Sequence, residues 1–138
     1  MITAYFDSSA ILKLSKEEPE SLALVDYLQD ASILASTSVL AEVDVIRILR
    51  QHHLDDEQAL TGFYLMAVDD DVRRRAIDVG GHVRRSLDAI HIATALAVGD
   101  RDLHFVTYDD RQADAARQAG LKVVQPGRSP SPGFGEAG

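Results

Sequence analysis

Short strand-like runs take turns with helical periods along this chain, and that alternation limits the folds open to it. "ITAYF" (2–6), "SILAS" (32–36), "HFVTY" (104–108) and "LKVVQ" (121–125) are apolar, β-branched or aromatic runs of strand length. Between them lie segments of helical character: "SSAILKLSK" (8–16), a helix opened by Pro19 and running to about residue 29, and a longer one through residue 52. "DDEQALTGFYLMA" (55–67) reads as a further helix, "AVD" (67–69) as a short strand, and 71–79 and 86–98 as helices separated by Gly80-Gly81. A last helix, "DRQADAARQAG", is closed by Gly120. Strands that alternate with helices predict an α/β layer architecture on a parallel sheet.

At 138 residues the chain is one domain. We place it at residues 1–125. The remainder, "PGRSPSPGFGEAG" (126–138), is dominated by Pro, Gly and Ser and reads as a disordered tail. Cysteine is absent, which excludes disulfides and thiolate metal sites and fits a reducing cytoplasm. The N-terminus lacks the basic segment of a signal peptide, and no apolar run has the length of a membrane span. Net charge is −8, yet "RRRAIDVGGHVRR" sets Arg73, Arg74, Arg75, Arg84 and Arg85 against one acid, Asp78. Such a run is either a solvated helix face or a contact for phosphates.

The acids are distributed less evenly than their number suggests. Asp7 follows the first strand and Asp109 follows "HFVTY". In open parallel sheets ligands gather beyond the carboxyl ends of strands, so the two converge if their strands are neighbours. Each could instead simply cap the next helix. Glu42 lies within the apolar stripe of "TSVLAEVDVIRILRQ", between Ile46 and Leu49. Asp44 projects toward Leu40, Arg47 and Gln51 and reads as an ordinary surface acid. "SLDAIHIATALAV" is apolar nearly all round, with Asp88, His91 and Thr94 on one face and Ser86 as its expected N-cap. Asp88 could hydrogen-bond His91, which would explain neither Glu42 nor Asp7. Four carboxylates on one wall repel one another, and a hard divalent cation removes the conflict.

With those positions in hand, the chain resembles the PIN-domain ribonucleases, and within them the VapC toxins of bacterial toxin–antitoxin modules. The resemblance runs from about residue 2 to 125 and rests on "YFDSSAILK", "STSVLAEV", "LDAIHIATAL" and "FVTYDDRQADAARQAGL" in that order. It implies a five-stranded parallel sheet flanked by helices, with an acidic site at the strands' C-terminal edge. The family's catalytic and metal-binding acids fall on Asp7, Glu42, Asp88 and Asp109, with Ser9 and Thr107 as supporting hydroxyls. Asp110 is an extra acid that could share or replace the role of Asp109, and His91 is read as a core or orienting residue. The implied activity is endoribonuclease cleavage with Mg²⁺ or Mn²⁺ and a metal-activated water. The implied partners are RNA, a VapB-type antitoxin covering residues 9–52 and a second copy of the chain, with no membrane. Two other readings remain: a catalytically silent PIN fold that only binds, and a receiver-type phospho-accepting domain. The latter would want a lysine just beyond the last strand, whereas Lys122 begins it.

Overall fold

The middle of the fold is β1 (Ile2–Phe6), whose Ala4, Tyr5 and Phe6 are fully buried. A strand buried on both faces needs apolar residues at successive positions. The computed structural model describes residues 1–80 and 83–128. After β1 come α1 (Ser8–Lys13), α2 (Ser21–Gln29), β2 (Ile33–Ser38), α3 (Val39–Gln51), β3 (Tyr64–Met66), α4 (Asp70–Asp78), α5 (Ser86–Ala97), β4 (His104–Val106), α6 (Asp110–Gln118) and β5 (Lys122–Val124). The strands pair in the order β3-β2-β1-β4-β5, each pair parallel. This is the five-stranded parallel sheet that the resemblance implied.

The period-two alternation of β1 divides the core. Ala4 and Phe6 pack with Ile11, Leu24, Val45 and Leu49, so α1, α2 and α3 cover one face of the sheet. Tyr5 packs with Ile92, Phe105 and Ala116, so α5 and α6 cover the other. From β1 the chain steps outward to β2 and β3, then returns to the opposite side of β1 to lay down β4 and β5. The strand order therefore reverses between β1 and β4, and the crevice beyond their carboxyl ends is where ligands of such sheets bind.

Several local expectations need correction. The helix expected over 55–67 is instead a series of turns leading into β3, and the strand is "YLM" and not "AVD". Gly62, at φ 86°, adopts the left-handed conformation in those turns. The short apolar run after it is equally compatible with helix or strand by period, and pairing with β2 decides the matter. Helix α2 begins at Ser21, two residues beyond Pro19. Arg85, not Ser86, is the N-cap of α5, and no side chain caps it.

The tail expected over 126–138 lies outside the described residues from 129 onward, as do residues 81 and 82. Its first three residues are anchored. The Tyr108 hydroxyl donates to the Pro126 carbonyl at 2.7 Å, and Arg128 pairs with Glu20 and Asp110 at 3.4 and 2.9 Å. Among the described residues no helix is long and apolar enough to cross a membrane.

Candidate active site

Asp7 is the residue immediately after β1, and it is only 4% exposed. Its main-chain N–H donates to Val106 of the adjacent β4, which fixes its height at the sheet edge. Oδ1 accepts from the Ser9 hydroxyl at 2.6 Å and from the Ala10 N–H at 3.1 Å; Oδ2 accepts from the Thr107 hydroxyl. Asp7 is thus the N-cap of α1 and a buried carboxylate at the crevice at once. Burial pushes its carboxyl up to about 6, against the pull of those hydrogen bonds, and the charge of Asp109 adds to the rise.

The supporting hydroxyls form one connected set. Ser9 Oγ lies 3.3 Å from Thr107 Oγ1 and accepts from the Tyr108 N–H at 3.0 Å. Thr107 also accepts from the Asp109 N–H at 3.2 Å. On the other side of β1, the Thr37 hydroxyl donates to the Phe6 carbonyl at 2.7 Å, which ties the end of β2 to the residue preceding Asp7. Small hydroxyl residues fit here because they satisfy buried main-chain and carboxylate groups without filling the crevice.

Asp109 caps α6, its Oδ1 accepting from the Arg111 and Gln112 N–H groups. Asp88 stands in the first turn of α5. Burial raises its pKa first of all, the charge of Asp109 adds to this, and nearby Arg85 partly offsets it. Asp7, Asp88 and Asp109 therefore share one electrostatic environment. Asp88 and Asp109 line a cavity of about 890 Å³ together with Arg84, Arg85, Asp110 and Arg111. Asp110 also pairs with Arg128 at 2.9 Å.

Glu42 lies on the same strand edge, in the first turn of α3 and half-buried. Its charge is not among the leading influences on Asp7 or Asp88. Asp44, read from the sequence as an ordinary surface acid, is half-buried, and its charge adds to the rise of Asp88 after burial and Asp109. Helix period shows which residues share a face, but not that α5 is the element lying against this end of the sheet.

His91 is buried with both ring nitrogens engaged, Nδ1 with the Tyr5 hydroxyl at 2.7 Å and Nε2 with the Ser8 hydroxyl at 3.2 Å. Burial pulls its pKa down to about 4, so it is neutral and part of the core polar network. The sequence alternative of an Asp88–His91 bond does not form. The arginines divide as well. Arg84 and Arg85 line the cavity beside Asp88 and Asp109, whereas Arg73 and Arg75 pair with Asp70 and Asp71 on the surface of α4.

The PIN domain family pattern matches residues 4–118, and this chain belongs to the PIN-domain family. It is 40% identical over 134 residues to Ribonuclease VapC46 of Mycobacterium tuberculosis, a match covering 91% of this chain and 99% of that one. It is 36% identical over 132 residues to Ribonuclease VapC35 of the same species, covering 91% and 98%. Among solved structures, a toxin–antitoxin complex from Klebsiella pneumoniae superposes with a TM-score of 0.67 at 21% identity, covering 88% of this chain and 95% of that chain. That last likeness concerns the fold alone.

The donor set can be tested for a divalent cation. Among the described residues, no three acidic or histidine side chains close around a single point as a ready cage. Mg²⁺ does not require one, since it keeps several waters and binds through one or two carboxylates. The donors here are all oxygens, and the carboxyls of Asp7 and Asp88 are raised chiefly by burial, with the charge of Asp109 adding to both. Such a set fits a hydrated hard cation and not a thiolate or imidazole metal.

Proposed function

We propose that this chain is an endoribonuclease toxin of a type II toxin–antitoxin system and hydrolyses RNA phosphodiester bonds with Mg²⁺ or Mn²⁺. The observation that carries the reading is Asp7, a nearly inaccessible carboxylate held by three donors at the β1–β4 switch point. A stability role alone does not account for it, because burial without a cation makes its charged form unfavourable. Asp7, Asp88 and Asp109 would hold the cation, and Glu42 would complete the set from α3. The chemistry contributed by such a cation is Lewis-acid stabilisation of the charge that builds on the scissile phosphate.

The protein's own part is orientation. Ser9 and Thr107 hold both oxygens of Asp7, and the α6 cap engages Oδ1 of Asp109. Arg84 and Arg85 at the cavity wall would grip the RNA backbone outside the acids, with Arg73, Arg74 and Arg75 as outlying contacts. A VapB-type antitoxin would cover the α1–α3 face, where Leu22 and Val43 are exposed. The protein would act in the cytoplasm as a homodimer.

The test is RNA cleavage by purified protein with Mn²⁺ or Mg²⁺, with EDTA, and with Asp7→Asn prepared identically. Metal-dependent cutting that vanishes in the variant supports the reading. Equal cutting by both proteins overturns the site.

A further inference from the structure

Gln112 touches two of the candidate acids and is not itself one of them. It lies in the first turn of α6 and is 2% exposed. Its main-chain N–H donates to Asp109 Oδ1 at 3.2 Å. Its side-chain Nε2 donates across to the main-chain carbonyl of Asp88 at 3.1 Å. That second bond joins the first turn of α6 to the first turn of α5, beside the cavity that Asp88, Asp109 and Gln112 all line.

The other end of the same side chain is anomalous. Gln112 Oε1 is buried and has no hydrogen-bond partner, the one such side-chain atom among the described residues. Exchanging the amide's two ends would not help, since Oε1 would then face the Asp88 carbonyl. A buried acceptor without a partner costs more than one neutral hydrogen bond returns. As core filling, this glutamine is therefore inferior to an apolar side chain of the same shape. What an apolar side chain lacks is the bond to the turn that carries Asp88.

We infer that Gln112 is a positioning residue that fixes Asp88 relative to Asp109 for binding a divalent cation. The inference rests on the metal-dependent reading above. Partners that orient ligands without touching the metal characteristically govern affinity, while the fold survives their loss.

The test compares wild type with Gln112→Met, which keeps the length and removes both the donor and the orphan acceptor. Gln112→Leu, uncharged and apolar, tests the loss of the same donor should methionine pack poorly. Melting is followed in EDTA and then through a Mn²⁺ titration, with RNA cleavage measured at the same Mn²⁺ concentrations. The expected result is a melting temperature in EDTA at or above wild type for Gln112→Met. The Mn²⁺ midpoint is displaced roughly tenfold or more upward in both assays. Cleavage at saturating Mn²⁺ recovers most of the wild-type rate. A responsive wild type with unchanged midpoints in both variants overturns the positioning role alone. A wild type that shows neither Mn²⁺-induced stabilisation nor Mn²⁺-dependent cleavage overturns the nuclease reading, and the positioning role with it.

Discussion

Replacing Asp7 with asparagine is expected to stabilise the metal-free protein. The Asp7 carboxyl sits at about 6 in the folded chain against 3.8 unperturbed, chiefly because it is buried. Folding thus disfavours its charged form. Its contribution to stability is complete below 3.8 and is lost as pH rises through 6, leaving a deficit at neutral pH. About 2 units at 1.36 kcal/mol each make that deficit roughly 3 kcal/mol. Asparagine keeps an acceptor for Ala10 N–H and Ser9, and its amide must face Thr107, whose hydroxyl can turn to accept. Loss of a charge-assisted bond there returns about 1–2 kcal/mol of the gain. A net gain of about 1–2 kcal/mol corresponds to a rise of roughly 5 °C in Tm for a domain of this size. The assay is thermal melting in EDTA at about pH 7.5, above the window from 3.8 to about 6, and at about pH 4.5, in its lower part. The advantage of Asp7→Asn should be present at the higher pH and largely gone at the lower. Added Mn²⁺ should reverse the order, because only wild type gains a ligand. A variant that melts several degrees below wild type in EDTA, by the same margin at both pH values, would mean that the Asp7 charge is not a burden on the fold.

Thr107→Val removes a donor that holds the Asp7 carboxyl down, so that carboxyl should rise further. The acidic limb of the cleavage profile should then move to higher pH, read from rates across about pH 5–8; an unmoved limb would remove Thr107 from the site. Arg84→Ala with Arg85→Ala should weaken RNA binding and flatten its dependence on log salt by about 0.7 for each phosphate left without its arginine. Arg73→Ala with Arg75→Ala should change that slope less, since those side chains are engaged by Asp70 and Asp71; filter binding across a salt series distinguishes the two pairs.

The parts of the fold legible in the sequence are those where one residue pattern admits one outcome. β1 is apolar at consecutive positions and lies at the centre of the sheet. The apolar girth of "SLDAIHIATALAV" marks a buried helix, and α5 is one. β3 was not legible, because a three-residue edge strand draws its definition from β2 and not from its own pattern. The same distinction runs through the site. Asp7 and Asp109 could be placed on one edge from strand ends alone. Asp44 and Gln112 could not, since each meets the site through an element distant in sequence: Asp88 of α5 lies 44 residues from Asp44 and the Gln112 bond spans 24 positions.

Capping and ligation appeared in the sequence as rival explanations of Asp7 and Asp109, and the cap geometry does not set one against the other. A cap bond engages a carboxylate through a single oxygen: Oδ1 of Asp109 takes both α6 amides, and Oδ1 of Asp7 takes Ala10 N–H. The cap therefore fixes the carboxylate plane while the second oxygen is directed by other contacts, which for Asp7 means Thr107 on the neighbouring strand. A helix N-terminus also favours the charged form of its cap, against the burial that disfavours it. Burial prevails, and the Asp7 carboxyl sits at about 6. Binding a divalent ion would move it decisively to the ionised side, releasing a proton in proportion to the fraction protonated. Proton release on Mn²⁺ addition, measured in buffers of differing ionisation enthalpy, should consequently peak near or below pH 6 and fade at higher pH. Release that is the same at about pH 5.5 and about pH 8 would mean that Asp7 is not the group the cation meets.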